Sequence, residues 1–180
     1  MKKYFKITGL TFGTLVIIYL TLCVFSPRSF MAEKSITINK SPESIFETVS
    51  DFSTWTRWSP WQKSDSLMVS QYQGTPGTVG HKTSWKSKKE GNGAQEIVEL
   101  SKNEYIKTAI HVSPDPNTVF FSEWYFSGDS LQTNVTWTMN SGTMPFLQRG
   151  AAFIFDMKST MEDYYDRGLN DLKKVVEENE

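Results

Sequence analysis

The sequence predicts an α+β fold: a curved antiparallel sheet wrapped around a long C-terminal helix. Two short helices follow the first strand, and one transmembrane helix precedes everything. Three observations carry this reading. One strand pattern runs directly into two short amphipathic stretches that open on N-cap and proline signals. From Leu67 to Met139, apolar and polar residues alternate in short runs broken by turn residues. The chain then closes on a single apolar stripe at helical spacing.

The first element is the apolar run "ITGLTFGTLVIIYLTLCVFSP" from Ile7 to Pro27, which holds no charged residue. About 20 apolar residues at about 1.5 Å rise each cross a hydrocarbon core of roughly 30 Å. The four threonines are tolerated because a helical hydroxyl can bond its own backbone. A cleaved signal peptide wants small residues before the cut, and "SFMA" places Phe30 where one is needed. A lipoprotein signal wants a small residue before its cysteine, and Leu22 precedes Cys23. The reading is an uncleaved anchor over residues 1–30 and one globular domain over 31–180. Lys2, Lys3 and Lys6 cluster ahead of the span, while Arg28, Lys34 and Lys40 are spread behind it. That bias favours a cytoplasmic N-terminus and a domain on the non-cytoplasmic side.

Of the 19 basic residues, four lie in the first 30, where there is no acid; 15 basic residues therefore face all 20 acidic ones, a net −5 for the domain. An acidic domain lacks the electrostatic footprint of nucleic-acid binding. The only cysteine, Cys23, lies in the apolar run, which excludes an intrachain disulfide and a thiolate metal cluster.

"EKSITIN" alternates Ile36 and Ile38 with polar neighbours, a strand. Ser41 and Pro42 open a helix that carries Ile45, Phe46 and Val49 on one face. Asp51 caps a second short helix bearing Phe52 and Trp55, which Ser59-Pro60 is expected to stop. "GTPGTVG" turns the chain into "VGHKTSWKS", with Val79, His81, Thr83 and Trp85 on one side. "KKEGNG" reads as a hairpin loop. "AQEIVELS", "EYIKTAIHV", "TVFFSEWYF" and "LQTNVTWTM" are further strands, separated by "KN", "SPDPN" and "SGDS". Connections this short favour antiparallel pairing. A long helix then runs from about Ala151 to Glu178, with Phe153, Met157, Met161, Tyr164, Gly168, Leu172 and Val175 along its stripe.

Three segments carry a family resemblance: "INKSPESIFETVSDFSTWTRWSPW", "GTPGTVGHKTSWKSKKEGNGAQEIVEL" and "DRGLNDLKKVVE". In this order and spacing the chain resembles the polyketide cyclase/dehydrase-like proteins of the START-like (SRPBCC) superfamily over residues 33–178. The resemblance implies the helix-grip fold, with an apolar cavity between sheet and C-terminal helix. It also implies a hydrophobic small molecule or lipid as ligand, and enzyme activity in a minority of members.

The residues name few catalytic devices. His81 and His111 lie in different strands, and no metal-ligand spacing, G-x-S-x-G turn or phosphate loop is present. No cofactor and no catalytic residue is assigned. Glu96 shares a strand face with Ala94, Val98 and Leu100, and Glu123 shares one with Val119, Phe121 and Tyr125. If those faces line the cavity, each acid is partly buried and its pKa rises. If the register slips by one, they face water. Trp85, Tyr125, Trp137, Met157 and Met161 suit apolar walls, methionine because it fits irregular shapes. Trp58 and Trp61 are placed at the cavity mouth, as lining or as seal. The candidate ligand-binding set is therefore Trp58, Trp61, His81, Trp85, Glu96, Glu123, Tyr125, Trp137, Met157 and Met161. Two other functions compete with ligand binding. One is a cyclase- or hydratase-type enzyme using Glu96, Glu123 or His81. The other is a scaffold or sensor with no usable cavity.

Overall fold

The computed structural model describes residues 2–112 and 119–178. The "SPDPN" turn expected between two strands falls outside the described residues. Helix α1 spans Lys2–Phe25. Its stretch Lys6–Phe25 is long and apolar enough to cross a membrane, or to serve as a signal sequence. The hydroxyls of Thr8, Thr11, Thr14 and Thr21 each donate to the carbonyl four residues back, at 2.8–3.0 Å. No threonine in this helix therefore presents an unpaired donor to an apolar solvent.

Strand β1 (Met31–Ile38) buries Ala32 and Ile38. Helix α2 (Pro42–Ser50) starts on its proline and buries Ile45, Phe46 and Val49. A 3-10 helix over Phe52–Arg57 follows, with the Asp51 carboxylate accepting from the Ser53 N–H at 2.9 Å. The expectation that Ser59-Pro60 only stops this helix needs correcting. Pro60 also starts helix α3 (Pro60–Ser64), because its missing N–H costs nothing in a first turn.

Six more strands follow: β2 (Val69–Gln73), β3 (Lys82–Lys86), β4 (Gly93–Ser101), β5 (Tyr105–Val112), β6 (Val119–Gly128) and β7 (Thr133–Asn140). The seven-stranded sheet has the order β1-β7-β6-β5-β4-β3-β2, and every pairing is antiparallel. Strands β2 to β7 are thus a meander, and β1 returns to the far edge beside β7.

The long C-terminal helix is split. Helix α4 (Phe146–Ile154) and helix α5 (Met157–Glu178) are separated at Phe155 and Asp156. Asp156 adopts φ +42°, a left-handed turn that a short polar side chain tolerates. The break resets the helical phase. Inside α5 the buried positions are Tyr165, Gly168, Leu169, Leu172 and Val176. The expected Tyr164 and Val175 sit one residue to the side, and Phe153 lies on α4, exposed.

Helix α5 crosses the concave face of the sheet. The crossing is close at Gly168, where a Cβ would stand 2.9 Å from the Trp137 ring and 3.0 Å from Pro60 Cδ. The core beneath is aromatic. Trp124 stacks on Trp137 at 4.1 Å, and Trp137 stacks on Tyr165 at 4.0 Å. Trp55 and Trp58 meet both of the stacked indoles edge-on at 5.8–6.1 Å. Offset and edge-to-face contacts of this kind add about 0.5–1.5 kcal/mol per pair beyond area burial.

Candidate functional site: an apolar cavity under the C-terminal helices

A cavity of about 530 Å³ lies between the concave face of the sheet and helices α3, α4 and α5. The sheet supplies its floor through Thr83 and Trp85 of β3, Gln95 of β4, Ile110 of β5, Ser122 of β6, and Trp137 and Met139 of β7. These positions alternate along their strands, so they share the inward face. Helix α4 contributes Gln148, Ala151 and Ala152, and α5 contributes Met157, Met161 and Tyr165. Phe155 belongs to the wall yet is 70% exposed, so the cavity opens beside it.

Several of the polar groups in the wall are held in place by hydrogen bonds. Ser122 Oγ accepts from Trp137 Nε1 at 2.7 Å and donates to the Thr138 carbonyl at 3.0 Å. The Tyr165 hydroxyl also bonds Ser122, and burial holds the Tyr165 phenol protonated, well above its ordinary range. Gln95 Nε2 donates to Thr108 Oγ1 at 3.0 Å. Glu90 is at the wall, hydrogen-bonded by the Ser64 hydroxyl. An apolar chamber with a small number of fixed polar groups is what a hydrophobic ligand needs for affinity and orientation.

Five of the ten candidate residues line this cavity: Trp61, Trp85, Trp137, Met157 and Met161. Trp61 is half-buried and stacks on Tyr164 at 5.3 Å, so it forms wall between α3 and α5. The other five do not line it. Trp58 is fully buried in the aromatic core rather than at a mouth. Its helix is a tight 3-10 turn, which swings the ring under the chain towards Trp124 and Trp137.

His81 is buried beside the 3-10 helix. Its Nε2 accepts from the Phe52 N–H at 3.2 Å, and its Nδ1 lies 3.0 Å from the Gln73 carbonyl. Those partners fit a neutral ring with the proton on Nδ1. The ring stacks on Phe52 at 4.9 Å and clasps three segments together.

Glu96, Glu123 and Tyr125 lie on the convex face. Glu96 pairs with Lys82 at 3.7 Å. Gln95 and Ile97 are the inward residues of β4, and the register shifts between Ile97 and Glu99. This bulge leaves Val98 exposed and returns Leu100 to the core, so Glu96, Val98 and Leu100 do not share one face. Glu123 accepts from the Tyr125 hydroxyl at 2.7 Å and pairs with Lys107 at 3.3 Å. Its pKa lies below the ordinary value, because the Tyr125 hydroxyl and then Lys107 favour the charged form. The same hydrogen bond pushes Tyr125 up to about 12. The raised carboxylate pKa expected for a cavity acid is thus reversed at Glu123. Glu96, Glu123 and His81 do not converge on the cavity.

Sequence reasoning missed Trp55, Gln95, Ser122, Gln148, Ala151 and Tyr165 as wall residues. Ser122 and Gln95 were one position from the acids singled out, so correct strand parity would have found them. Gln148 and Ala151 required knowing that a separate helix begins at Phe146.

The comparisons with known proteins agree with this architecture. The profile of the family described as "Polyketide cyclase / dehydrase and lipid transport" matches residues 29–177, and the chain belongs to that family. No curated protein matches it. Among solved structures, the chain is similar to protein MLL2253 from Mesorhizobium loti: 13% identity, TM-score 0.61, 84% of this chain and 99% of that one. A Thermobifida fusca protein is 19% identical with TM-score 0.56, covering 81% of this chain and 92% of that one. The Aha1 protein of Colwellia psychrerythraea is 16% identical with TM-score 0.56, covering 82% of this chain and 96% of that one. At these identities the likeness is one of fold.

Proposed function

We propose that this chain is a membrane-anchored START-like domain that binds a lipid or other hydrophobic small molecule between its sheet and α5. Residues 1–30 form the anchor, and residues 31–180 hold the cavity on the non-cytoplasmic side. The observation that carries the reading is the cavity itself. Its volume of about 530 Å³ falls in the range of ligand pockets, and it is walled by indole, methionine and phenylalanine side chains. A cavity of this volume beside the packed aromatic core favours binding over the scaffold reading, which calls for an interior without one. The family's description, which includes lipid transport, points the same way.

The test is native mass spectrometry of the full chain, released from detergent, with extraction and identification of any bound molecule. One lipid-sized ligand per chain is the expected result. Ala152→Phe fills part of the cavity and should reduce occupancy about tenfold, equivalent to about 1.4 kcal/mol. Wild-type protein recovered only in the empty state, and taking up no fatty acid, would sink the reading.

A further inference from the structure

Helix α4 has an outer side as well as the side that walls the cavity. Gln148, Ala151, Ala152 and Phe155 face inward. On the opposite side, Gly150 is pressed against α1: a Cβ there would stand 2.6 Å from Cys23 Sγ and 3.1 Å from the Tyr19 ring. The Tyr19 hydroxyl donates to the Leu147 carbonyl at 2.6 Å, which fixes the seam. At 100° per residue, Phe146 and Phe153 fall on one side of this seam, and Leu147 and Ile154 on the other. All four are large, apolar and 42–59% exposed.

The position of the seam along α1 sets a depth. The apolar stretch Lys6–Phe25 has 20 residues. At 1.5 Å per residue it is about 30 Å long, one hydrocarbon core. Cys23 and Tyr19 precede Phe25 by two and six residues, so they lie about 3 and 9 Å inside that end. Helices that lie in a membrane interface bury their apolar face by about 5–10 Å. A helix riding on Tyr19 and Cys23 is held at that depth. The chain turns polar directly afterwards, at Asp156, Lys158 and Ser159.

We propose that α4 is an interfacial helix whose outer face is embedded in the acyl–headgroup boundary of the bilayer. Its inner face is then the partition between membrane and cavity, and the rim at Phe155 opens onto acyl chains. This rests on the anchored, ligand-binding reading above and narrows its ligand to a membrane lipid that enters sideways without crossing water.

Depth-dependent fluorescence quenching tests it on the full chain in vesicles of phosphatidylcholine and phosphatidylglycerol. In a Cys23→Ser background, one environment-sensitive label is placed through Phe153→Cys, Val16→Cys or Leu131→Cys. Leu131 is 77% exposed in the turn between β6 and β7, beside the Ile38 end of β1 and so away from the Met31 end that follows α1. The expected result is severalfold stronger quenching of label 153 than of label 131 by a phosphatidylcholine with a shallow chain nitroxide. Iodide in the buffer should give the reverse order. Label 153 as open to iodide as label 131, with label 16 shielded, overturns the proposal and leaves the anchor standing. Label 16 also open to iodide overturns proposal and anchor together. Lipid retained by the same samples is extracted and counted, so a failure of the cavity reading is told apart from either.

Discussion

Ser122 and Glu123 are neighbours on β6 with opposite duties. The serine hydroxyl sits in the cavity floor, where it serves Trp137, Tyr165 and the Thr138 carbonyl at once. Ser122→Ala would leave the buried Trp137 N–H without its acceptor, a loss of about 1–3 kcal/mol. A urea melt at neutral pH should show it as a lower midpoint. Glu123, one residue on, points to the convex face and is held ionised by Tyr125 and Lys107. Its folded pKa is below the ordinary 4.5, so its contribution to stability is complete above that value. The contribution fades as pH falls through the lowered pKa. Wild type should therefore be more stable than Glu123→Gln at neutral pH, with the gap closing below pH 4.5. Equal stability of the two across that range would show the pair to be inert. Chemistry at this scale was only half legible in the sequence. Glu96 and Glu123 were recognisable as acids in strands, but a period of two leaves each strand with two equivalent phases. The bulge after Ile97 then changes phase within β4, and no residue there announces it.

At the scale of elements, α5 is fitted to the sheet by the absence of a side chain. Gly168 lets the helix backbone approach Trp137 and Pro60. Gly168→Ala should gain up to about 1 kcal/mol of helix propensity. It should lose about 1–3 kcal/mol to overpacking against an indole that is itself stacked on both faces. The net expectation is a lower Tm in a thermal melt; a raised Tm would mean that α5 can shift outward freely. The elements themselves were largely readable. The proline-started α2, the Asp51 cap and the meander of strands follow from short-range signals, and the structure contains each. The division between α4 and α5 was not readable, because apolar residues continue through Phe153, Ile154 and Phe155 while the backbone turns at Asp156. Within α5 the expected stripe holds at Met157, Met161, Gly168 and Leu172, and is one residue off at Tyr164 and Val175, where Tyr165 and Val176 are buried instead.

For the molecule as a whole, the proposed lipid, filling a cavity in the core, would share in its stability. Complete removal of bound lipid should lower Tm. A ligand present at about 100 times its dissociation constant adds about 2.7 kcal/mol. For a chain of this size that corresponds to a shift of roughly 5–10 °C. Differential scanning calorimetry before and after delipidation reads it, and an unchanged Tm would mean that the guest contributes nothing to the fold. Helix-grip architecture was legible from the order of the patterns, whereas the cavity's volume and opening were not, since both depend on how α4 and α5 are angled over the floor.

The order of the strands also governs how the molecule is made. Strand β1 emerges directly after α1, yet its partner is β7: Met31 pairs with Asn140, and Ile38 with Thr133. Some 95 to 109 residues separate the partners, the most distant pairing in the sheet. At about 5–20 residues per second, a ribosome needs roughly 5–20 s to supply them. Throughout that interval β1 is an unpaired edge able to zip onto another nascent chain. Sheet closure is thus postponed to the end of synthesis, and the apolar α1 is available to be drawn to a membrane long before the grip can shut.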